Sequence, residues 1–346
     1  MRVAIVAPPW VAVPPSAYGG IEIMLDTLAR GLDAAGHDVT LFTTGDSTCP
    51  VKKAWLFEAA RGIATAGPSV ELRHVMSAYD VARQFDIFHD HTLTGPVYAD
   101  RFPWLPVVTT NHGPFLSELG PIYQAISNRV PVIAISHHQA STAQGVNLAG
   151  VIHHGVDLAG WPVGMGGGDY AVFLGRMNPD KGVHHAARAA RSAGMPLKIA
   201  AKMSEPAEMA YFNDSVKPLL GGDIEYIGEV NRTEKLQLLG EATCLLNPID
   251  WPEPFGVVMI EALATGTPVI AAHVGSAPEI VDDGVTGILA HDQSDLVEAL
   301  QRVAELDRFA CRKAAEDRFS AERMVAEHVA VYAQVCEERR RATRHR

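Results

Sequence analysis

Two glutamates, Glu253 and Glu261, stand eight positions apart in a stretch suited to binding a phosphorylated ligand. Pro252 and Pro254 hold the chain extended around Glu253, because each proline ring fixes φ and disfavours helix at the preceding residue. Gly256 lets a ligand approach the backbone, and the helix predicted to follow begins with N–H groups that have no partner within the helix. The two carboxylates therefore flank a set of backbone donors, which predicts a ligand with hydroxyl groups at one end and phosphates in the middle.

A basic pair, Arg176 and Lys181, lies on the loop after a predicted strand, Tyr170 to Leu174. Arginine supplies a planar fork of donors and lysine a point charge, and proteins use both on phosphate oxygens. A basic pair on a loop is usually only solvated. Because we expect the helix start after Gly256 on an adjacent strand end, we interpret this pair as phosphate-binding.

Histidine is abundant, at 15 residues, and several histidines are clustered. We expect none of the clusters to chelate a metal, on the ground that adjacent and alternate strand residues point to opposite faces. His112 is the favoured functional histidine, since it follows a predicted strand and precedes a Gly-Pro turn, and His91 is similarly placed. For each, the alternative is a structural histidine whose hydrogen bonds are satisfied. The clusters are His89-Asp90-His91, His137-His138, His153-His154 and His184-His185.

The first predicted strand leads to a glycine pair, Gly19 and Gly20, at the start of a helix. Their N–H groups could approach a substrate or a phosphate, although a plain flexible turn explains them equally well. The chain lacks a Gly-x-Gly-x-x-Gly fingerprint there, which argues against a nicotinamide dehydrogenase. Trp10, Tyr18 and Trp251 could stack on a sugar face, but packing is the commoner role of such rings.

The elements that must position these residues alternate between short apolar runs and helical segments. Such alternation predicts parallel sheets covered on both faces by helices. A glycine-rich region from His153 to Asp169 separates two halves, so the predicted fold is α/β, with two Rossmann-like domains facing across a cleft. The predicted strands are Arg2–Ala7, Asp38–Thr43, Asp86–Asp90, Val107–Thr110, Val132–Ser136, Tyr170–Leu174, Leu197–Ala200, Ile224–Ile227, Cys244–Asn247 and Val269–Ala272.

Composition narrows the class of protein. A chain of 346 residues with 47% hydrophobic and 20% charged residues is typical of a two-domain globular protein. A net charge of -11 argues against a nucleic-acid binder. Four scattered cysteines, no leader and no membrane span predict a cytoplasmic protein. Five arginines in the stretch Glu337 to Arg346 leave peripheral membrane contact open, although a solvated helix end is the simpler explanation. The oligomeric state stays open.

Together these residues resemble the retaining glycosyltransferases of family 4, which have the GT-B fold. The Glu-x7-Glu element continues into Ala-Leu-Ala-Thr-Gly-Thr-Pro-Val-Ile, a setting far more specific than the bare spacing. Ser276 departs from the family's usual Gly-Gly pair but leaves Glu279 in place. Four other segments match the family. Gly175-Arg176 with Lys181-Gly182 matches its phosphate-binding loop, and His112 matches its active-site histidine. His153 to Asp157 matches the approach to the second domain, and Gly19-Gly20 matches the glycine loop.

The resemblance implies a nucleoside-diphosphate sugar as donor, with Glu253 binding sugar hydroxyls and Glu261 ribose hydroxyls. Backbone near Glu229 and Val230 would meet the base, and His112 the sugar. The diphosphate would be held by Arg176, Lys181, Gly19, Gly20 and the N–H groups of Phe255, Gly256 and Val257. No cofactor or bound metal is implied. The implied domains are an acceptor-binding domain over residues 1–158, a donor-binding domain over 159–322 and a helix over 323–346 that crosses back to the first.

Two other classes fit the same resemblance less well. One is another GT-B enzyme, a sugar-nucleotide epimerase or a glycan phosphorylase, and the other is a catalytically silent sugar-nucleotide-binding module. Lys181, Lys198 and Lys202 lack the setting of a pyridoxal phosphate lysine, which argues against a phosphorylase. Donor sugar and base stay open, as does the acceptor, whether small molecule, glycan or lipid, because loops of the first domain would select it.

Overall fold

The protein, described by a computed structural model over residues 1–16, 19–62, 67–116 and 118–344, divides into two compact units. Unit 1 comprises Met1–Gly155 together with Ala321–Arg346, and unit 2 comprises Val156–Ser320. The sequence placed the divisions after residues 158 and 322. Tyr18, one of the candidate aromatic residues, and the last two residues of the arginine-rich end lie outside the described residues.

Unit 1 contains one parallel sheet, with seven strands among its described residues, in the order β3-β2-β1-β4-β5-β6-β7. Its strands β4 and β5 are buried throughout, as expected for a parallel sheet with helices on both faces. The strands are β1 Arg2–Val6, β2 Asp38–Thr43, β3 Lys52–Trp55, β4 Ile87–Asp90, β5 Val107–Thr110, β6 Val132–Ala134 and β7 Leu148–Val151; the helices are α1 Gly20–Ala34, α2 Pro68–Tyr79, α3 Thr94–Tyr98, α4 Leu119–Ser127, α5 His137–Ser141 and, from the end of the chain, α13 Ala321–Arg344.

Helix α13 packs its apolar face into the core of unit 1 beside α1. Met324, Val325 and Tyr332 are buried there. Further along, the Arg339 guanidinium donates to the carbonyl oxygen of Arg129 at 3.0 Å. At least one arginine of the basic end therefore holds the helix to the unit. None of the helices in the described ranges is both long and apolar enough to cross a membrane.

Unit 2 repeats the architecture with a six-stranded sheet among its residues, ordered β10-β9-β8-β11-β12-β13. All its strand pairs are parallel, and the chain reverses direction across the sheet between β8 and β11. Ligands of such sheets bind at the carboxyl ends of the strands beside that reversal. The strands are β8 Ala171–Arg176, β9 Leu197–Lys202, β10 Ile224–Gly228, β11 Cys244–Asn247, β12 Val269–Ala272 and β13 Gly287–Ala290; the helices are α6 Val183–Ala193, α7 Pro206–Tyr211, α8 Arg232–Glu241, α9 Val257–Ala264, α10 Ala277–Ile280, α11 Gln293–Arg302 and α12 Arg308–Arg318.

Helix α9 is fixed at its carboxyl end by two arginines of α12. Arg312 donates to the carbonyl oxygen of Ala264 at 2.7 Å, and Arg308 donates to the carbonyl oxygen of Thr265 at 3.4 Å and to Thr267 Oγ1 at 2.8 Å. Cations at a helix carboxyl end satisfy its last carbonyl groups and complement its dipole. The arginines therefore anchor α9 at the end away from Gly256.

The glycines that flank α6 offer a matched stability test. Gly182 and Gly194 both have positive φ, of 68° and 67°. A Cβ at Gly182 would overlap the carbonyl oxygen of Pro248, whereas a Cβ at Gly194 would meet nothing within 4 Å. We expect Gly194→Ala to cost about 1 kcal/mol for the left-handed backbone alone, and Gly182→Ala roughly 2–3 kcal/mol more for the overlap. Urea unfolding measures both, and equal losses would contradict the packing described.

Candidate active site

The candidate site of unit 2 is built on two loops that follow the neighbouring strands β8 and β11. Their pairing, Cys244 with Ala171 and Leu245 with Val172, brings both loops to one edge of the sheet. The Asp250 N–H donates to the carbonyl oxygen of Asp180 at 2.8 Å and joins the loops directly. The adjacency expected from the sequence is therefore present.

Glu253 is held in place from three directions. Its carboxylate forms an ion pair with Lys181 Nζ, and both side chains are largely buried, at 13% and 17% exposure. Its carbonyl oxygen accepts from the Ser276 N–H at 3.1 Å. Gly275 lies so close that a Cβ there would come within 2.6 Å of the Glu253 backbone nitrogen. The ion pair brings together two residues that the sequence singled out separately.

Glu261 lies on α9 and is 4% exposed. A carboxylate buried to that degree requires a cationic partner, because removing an unpaired charge from water is costly. Lys235 on α8 supplies it, with its Nζ 2.5 Å from Glu261 Oε1 and 5.4 Å above the Trp161 ring. Lys235 was not among the predicted site residues, because its position within the polar helix α8 gives no local signal.

Arg176, at the end of β8, forms ion pairs with Glu205 at 3.1 Å and with Glu208 at 3.2 Å. Burial alone would raise the pKa of Glu208. The N–H groups of Ser204 and Glu205 and the charge of Arg176 outweigh it and hold that pKa below its usual value. Of the two predicted cations, Lys181 thus contacts Glu253, while Arg176 is held by acidic residues that the sequence analysis did not identify.

At the start of α9, Gly256 occupies the N-cap position and therefore supplies no side-chain cap. Phe255 is buried beside it, and Val257 is the first helical residue. An uncapped helix start suits an anion. Glu229 and Val230 lie elsewhere, after the edge strand β10.

Trp251, one of the candidate aromatic residues, lies beside the same lysine. Trp251 has Lys181 Nζ 5.8 Å from its ring centroid, and its own indole N–H is buried without a hydrogen-bond partner among the described residues. Ser276 Oγ, also buried, has no partner there either. Buried donors without partners are uncommon, and such groups often face a ligand or a water.

In unit 1, Gly19 and Gly20 stand at the start of α1, as expected. A Cβ on Gly19 would come within 2.8 Å of Glu22 Oε2. Burial raises the pKa of Glu22. The carboxylate of Glu22 therefore lies beside the helix start to which the sequence assigned a phosphate or substrate contact.

His112 follows β5 and lies against other histidines of unit 1. Its Nε2 is 2.9 Å from His91 Nδ1, and burial lowers its pKa to about 3. The His89 and His91 ring centroids lie 3.9 Å apart. The expectation that alternate strand residues point to opposite faces was wrong, because residues i and i+2 share a face. His154 and His328 complete this buried cluster, beside His112 and His89 respectively.

Comparisons with known proteins cover both units. A family model described as "Glycosyltransferase Family 4" matches residues 18–159, and one described as "Glycosyl transferases group 1" matches residues 165–318. A glycogen synthase of Mycobacterium tuberculosis is 26% identical over 87% of this chain and 86% of its own length. The structure of AviGT4, a glycosyltransferase involved in avilamycin A biosynthesis, is 25% identical with a TM-score of 0.76 over 97% of this chain and 98% of its own. Anabaena Alr3699/HepE in complex with UDP and glucose is 20% identical, with a TM-score of 0.75 over 96% of this chain and 100% of its own.

The histidine cluster of unit 1 predicts acid sensitivity. Burial lowers the pKa of His328 from 6.5 to about 4. Below pH 6.5, His328 is therefore protonated in the unfolded chain but stays neutral in the folded chain. The free energy of unfolding consequently falls as the pH drops from 6.5 towards 4. We expect His328→Gln to gain about 2 kcal/mol relative to wild type between pH 7.5 and pH 5. Urea unfolding at the two pH values measures this, and parallel losses in both proteins would contradict it.

Proposed function

The chain belongs to the glycosyltransferases of family 4, with their GT-B fold of two α/β units, and we propose that it transfers a hexose-type sugar from a nucleoside-diphosphate sugar to an acceptor hydroxyl. The observation that carries this proposal is the pair of lysine-bound carboxylates on either side of an uncapped helix start. Glu253 precedes Gly256, and Glu261 lies one helical turn beyond Val257. Two hydroxyl-binding groups flanking an anion site match the chemistry of a sugar nucleotide.

Glu253 and Glu261 have separate tasks in this proposal. An ionised carboxylate accepts two or more hydrogen bonds, so each can hold a pair of hydroxyls. Glu253 takes the hydroxyls of the transferred sugar and Glu261 those of the ribose, while backbone near Glu229 and Val230 meets the base. Lys235 places a positive charge against the buried Glu261 carboxylate.

The diphosphate is assigned to the N–H groups of Phe255, Gly256 and Val257, with Lys181 and Arg176. Lys181 already contacts Glu253, so its charge lies at the junction of sugar and phosphate. Such preorganised donors stabilise charge as the diphosphate leaves, and one of them is worth about 10²–10³ in rate. We propose that these groups supply the positive charge for departure without a bound metal.

In unit 1, the proposal gives Gly19 and Gly20 a backbone contact with the donor phosphates and His112 a contact with the transferred sugar. A neutral imidazole suits a hydroxyl, since it offers one donor and one acceptor. The HepE complex with UDP and glucose supports the donor class at the level of the fold. The acceptor, a small molecule, glycan or lipid, is assigned to the loops of unit 1.

The proposed reaction retains the anomeric configuration. The bond between the anomeric carbon and the diphosphate oxygen breaks, and the acceptor oxygen bonds the same face of that carbon. The departing phosphate oxygen takes the acceptor hydroxyl proton. Glu253 acts through the sugar hydroxyls, because its ion pair with Lys181 leaves it a hydrogen-bond acceptor.

Replacing Glu253 tests this proposal. Wild-type protein, incubated with a panel of nucleotide sugars and candidate acceptors, is expected to release nucleoside diphosphate only when both substrates are present. In Glu253→Gln we expect turnover to fall by at least about 10². The affinity for free nucleoside diphosphate should not fall, because the sugar contact is weakened while Lys181 keeps its charge. Glu298→Gln, an exposed site on α11, is the control. Full turnover in Glu253→Gln would refute the role of Glu253, and no release by wild type with any donor would refute transferase activity.

A further inference from the structure

Two histidines of unit 1 share one hydrogen bond at the ends of neighbouring strands. His91 Nδ1 and His112 Nε2 lie 2.9 Å apart, with the rings stacked at a centroid distance of 5.2 Å. The outer nitrogens, His91 Nε2 and His112 Nδ1, are buried and have no hydrogen-bond partner among the described residues. The two rings therefore form a pair whose outer nitrogens both lack a partner.

The backbone on both sides of each ring is pinned. The Asp90 carboxylate accepts from the Thr92 N–H at 2.9 Å, and the His91 N–H donates to the Val6 carbonyl oxygen at 2.9 Å. On the other strand, Gln139 Nε2 donates to the carbonyl oxygens of Asn111 and Gly113, at 2.9 and 2.6 Å. These contacts fix the backbone from which each ring projects.

Proton counting couples the two rings. Burial keeps both neutral, since it lowers the pKa of His91 well below its usual value and that of His112 to about 3. A neutral imidazole has one N–H and one lone pair, and the shared bond uses one of each. If His91 donates through Nδ1–H, His112 must carry its proton on Nδ1, and if His112 donates through Nε2–H, His91 must carry its proton on Nε2. Both rings therefore hold the proton on the same-named nitrogen.

We propose that His91 is a positioning residue that sets His112 to donate a hydrogen bond through Nδ1–H to an oxygen of the transferred sugar. This inference rests on the proposed function, in which His112 meets that sugar. Whichever nitrogens carry the protons, one buried N–H in the pair lacks an acceptor, and a buried N–H is harder to leave unpaired than a lone pair. A ligand oxygen at His112 Nδ1 removes that orphaned donor only when both protons lie on Nδ1. Sugar binding therefore selects this tautomer of both rings.

Nitrogen-15 NMR of the full chain with labelled histidine tests the coupling directly. Two-bond proton–nitrogen couplings identify the protonated nitrogen of each ring, and His91→Phe and His112→Phe assign the signals. We expect His91 and His112 to show the same tautomer without ligand, and both to show Nδ1–H with a nucleotide sugar bound. Opposite tautomers, a charged ring, or Nε2–H in the complex would overturn the inference. The measurement without ligand tests the coupling of the two tautomers even if no donor supports turnover. A failure of this inference can therefore be distinguished from a failure of the proposed function.

Activity distinguishes positioning from packing. His91→Phe keeps a stacking ring but removes the hydrogen bond, whereas His91→Asn loses the ring but places an amide near the position of Nδ1. We expect His91→Phe to lower kcat on the order of tenfold, the value of one oriented hydrogen bond, with a smaller change in KM. His91→Asn should restore most of that loss. If His91 only packs, His91→Phe should have the higher kcat and His91→Asn the lower. That result, or equal kcat in both variants, would refute the inference.

Discussion

The unit 2 site depends on two lysine–glutamate ion pairs. Within α9 the Glu261 carboxylate is 4% exposed, and Lys235 places a positive charge against it. Glu253 depends in the same way on Lys181, which arrives from a loop 72 residues earlier in the chain. Removing either lysine would leave a shielded charge without a partner, a costlier change than losing an exposed pair. Lys181 reaches Glu253 because their loops follow β8 and β11, which are neighbours in the sheet.

The two units offer a ligand different chemistry. Unit 2 concentrates formal charge, with Arg176 held between Glu205 and Glu208 in addition to the two lysine pairs. Unit 1 instead buries histidines that stay neutral, because burial lowers their pKa values. In the proposed function the charged groups of unit 2 meet phosphates and hydroxyls, while the neutral imidazole of His112 meets an oxygen of the transferred sugar.

Much of the fold was predictable because buried strands of a parallel sheet are continuous apolar runs. All ten predicted strands are present. The strands that the sequence did not predict, β3, β7 and β13, all lie at sheet edges. An edge strand is covered on fewer sides, so its sequence need not be a continuous apolar run. The edge strand Lys52–Trp55 contains two lysines, and its side chains are partly exposed. The two α/β units follow from the interior strands alone.

The candidate site residues were identifiable where a motif lies within a short stretch, as in Glu253 to Glu261. Their partners were not. Lys235 and Glu261 are 26 residues apart, Arg176 and Glu208 are 32 apart, and His91 and His112 are 21 apart. Contacts at such separations are set by strand order and helix packing, which local periodicity does not encode. The hydrogen-bonded histidine pair was invisible for this reason, although each of its members was a candidate on its own.

The division of labour between the two carboxylates is the central claim, and one titration tests it most directly. Calorimetry would compare the nucleoside diphosphate that binds best with its 2′-deoxy form, against wild type and against Glu261→Gln. If Glu261 accepts the ribose hydroxyls, wild type should prefer the ribose form by about tenfold or more, the value of a hydrogen bond to a charged group. Glu261→Gln should lose most of that preference. A preference that persists undiminished in Glu261→Gln would contradict the account.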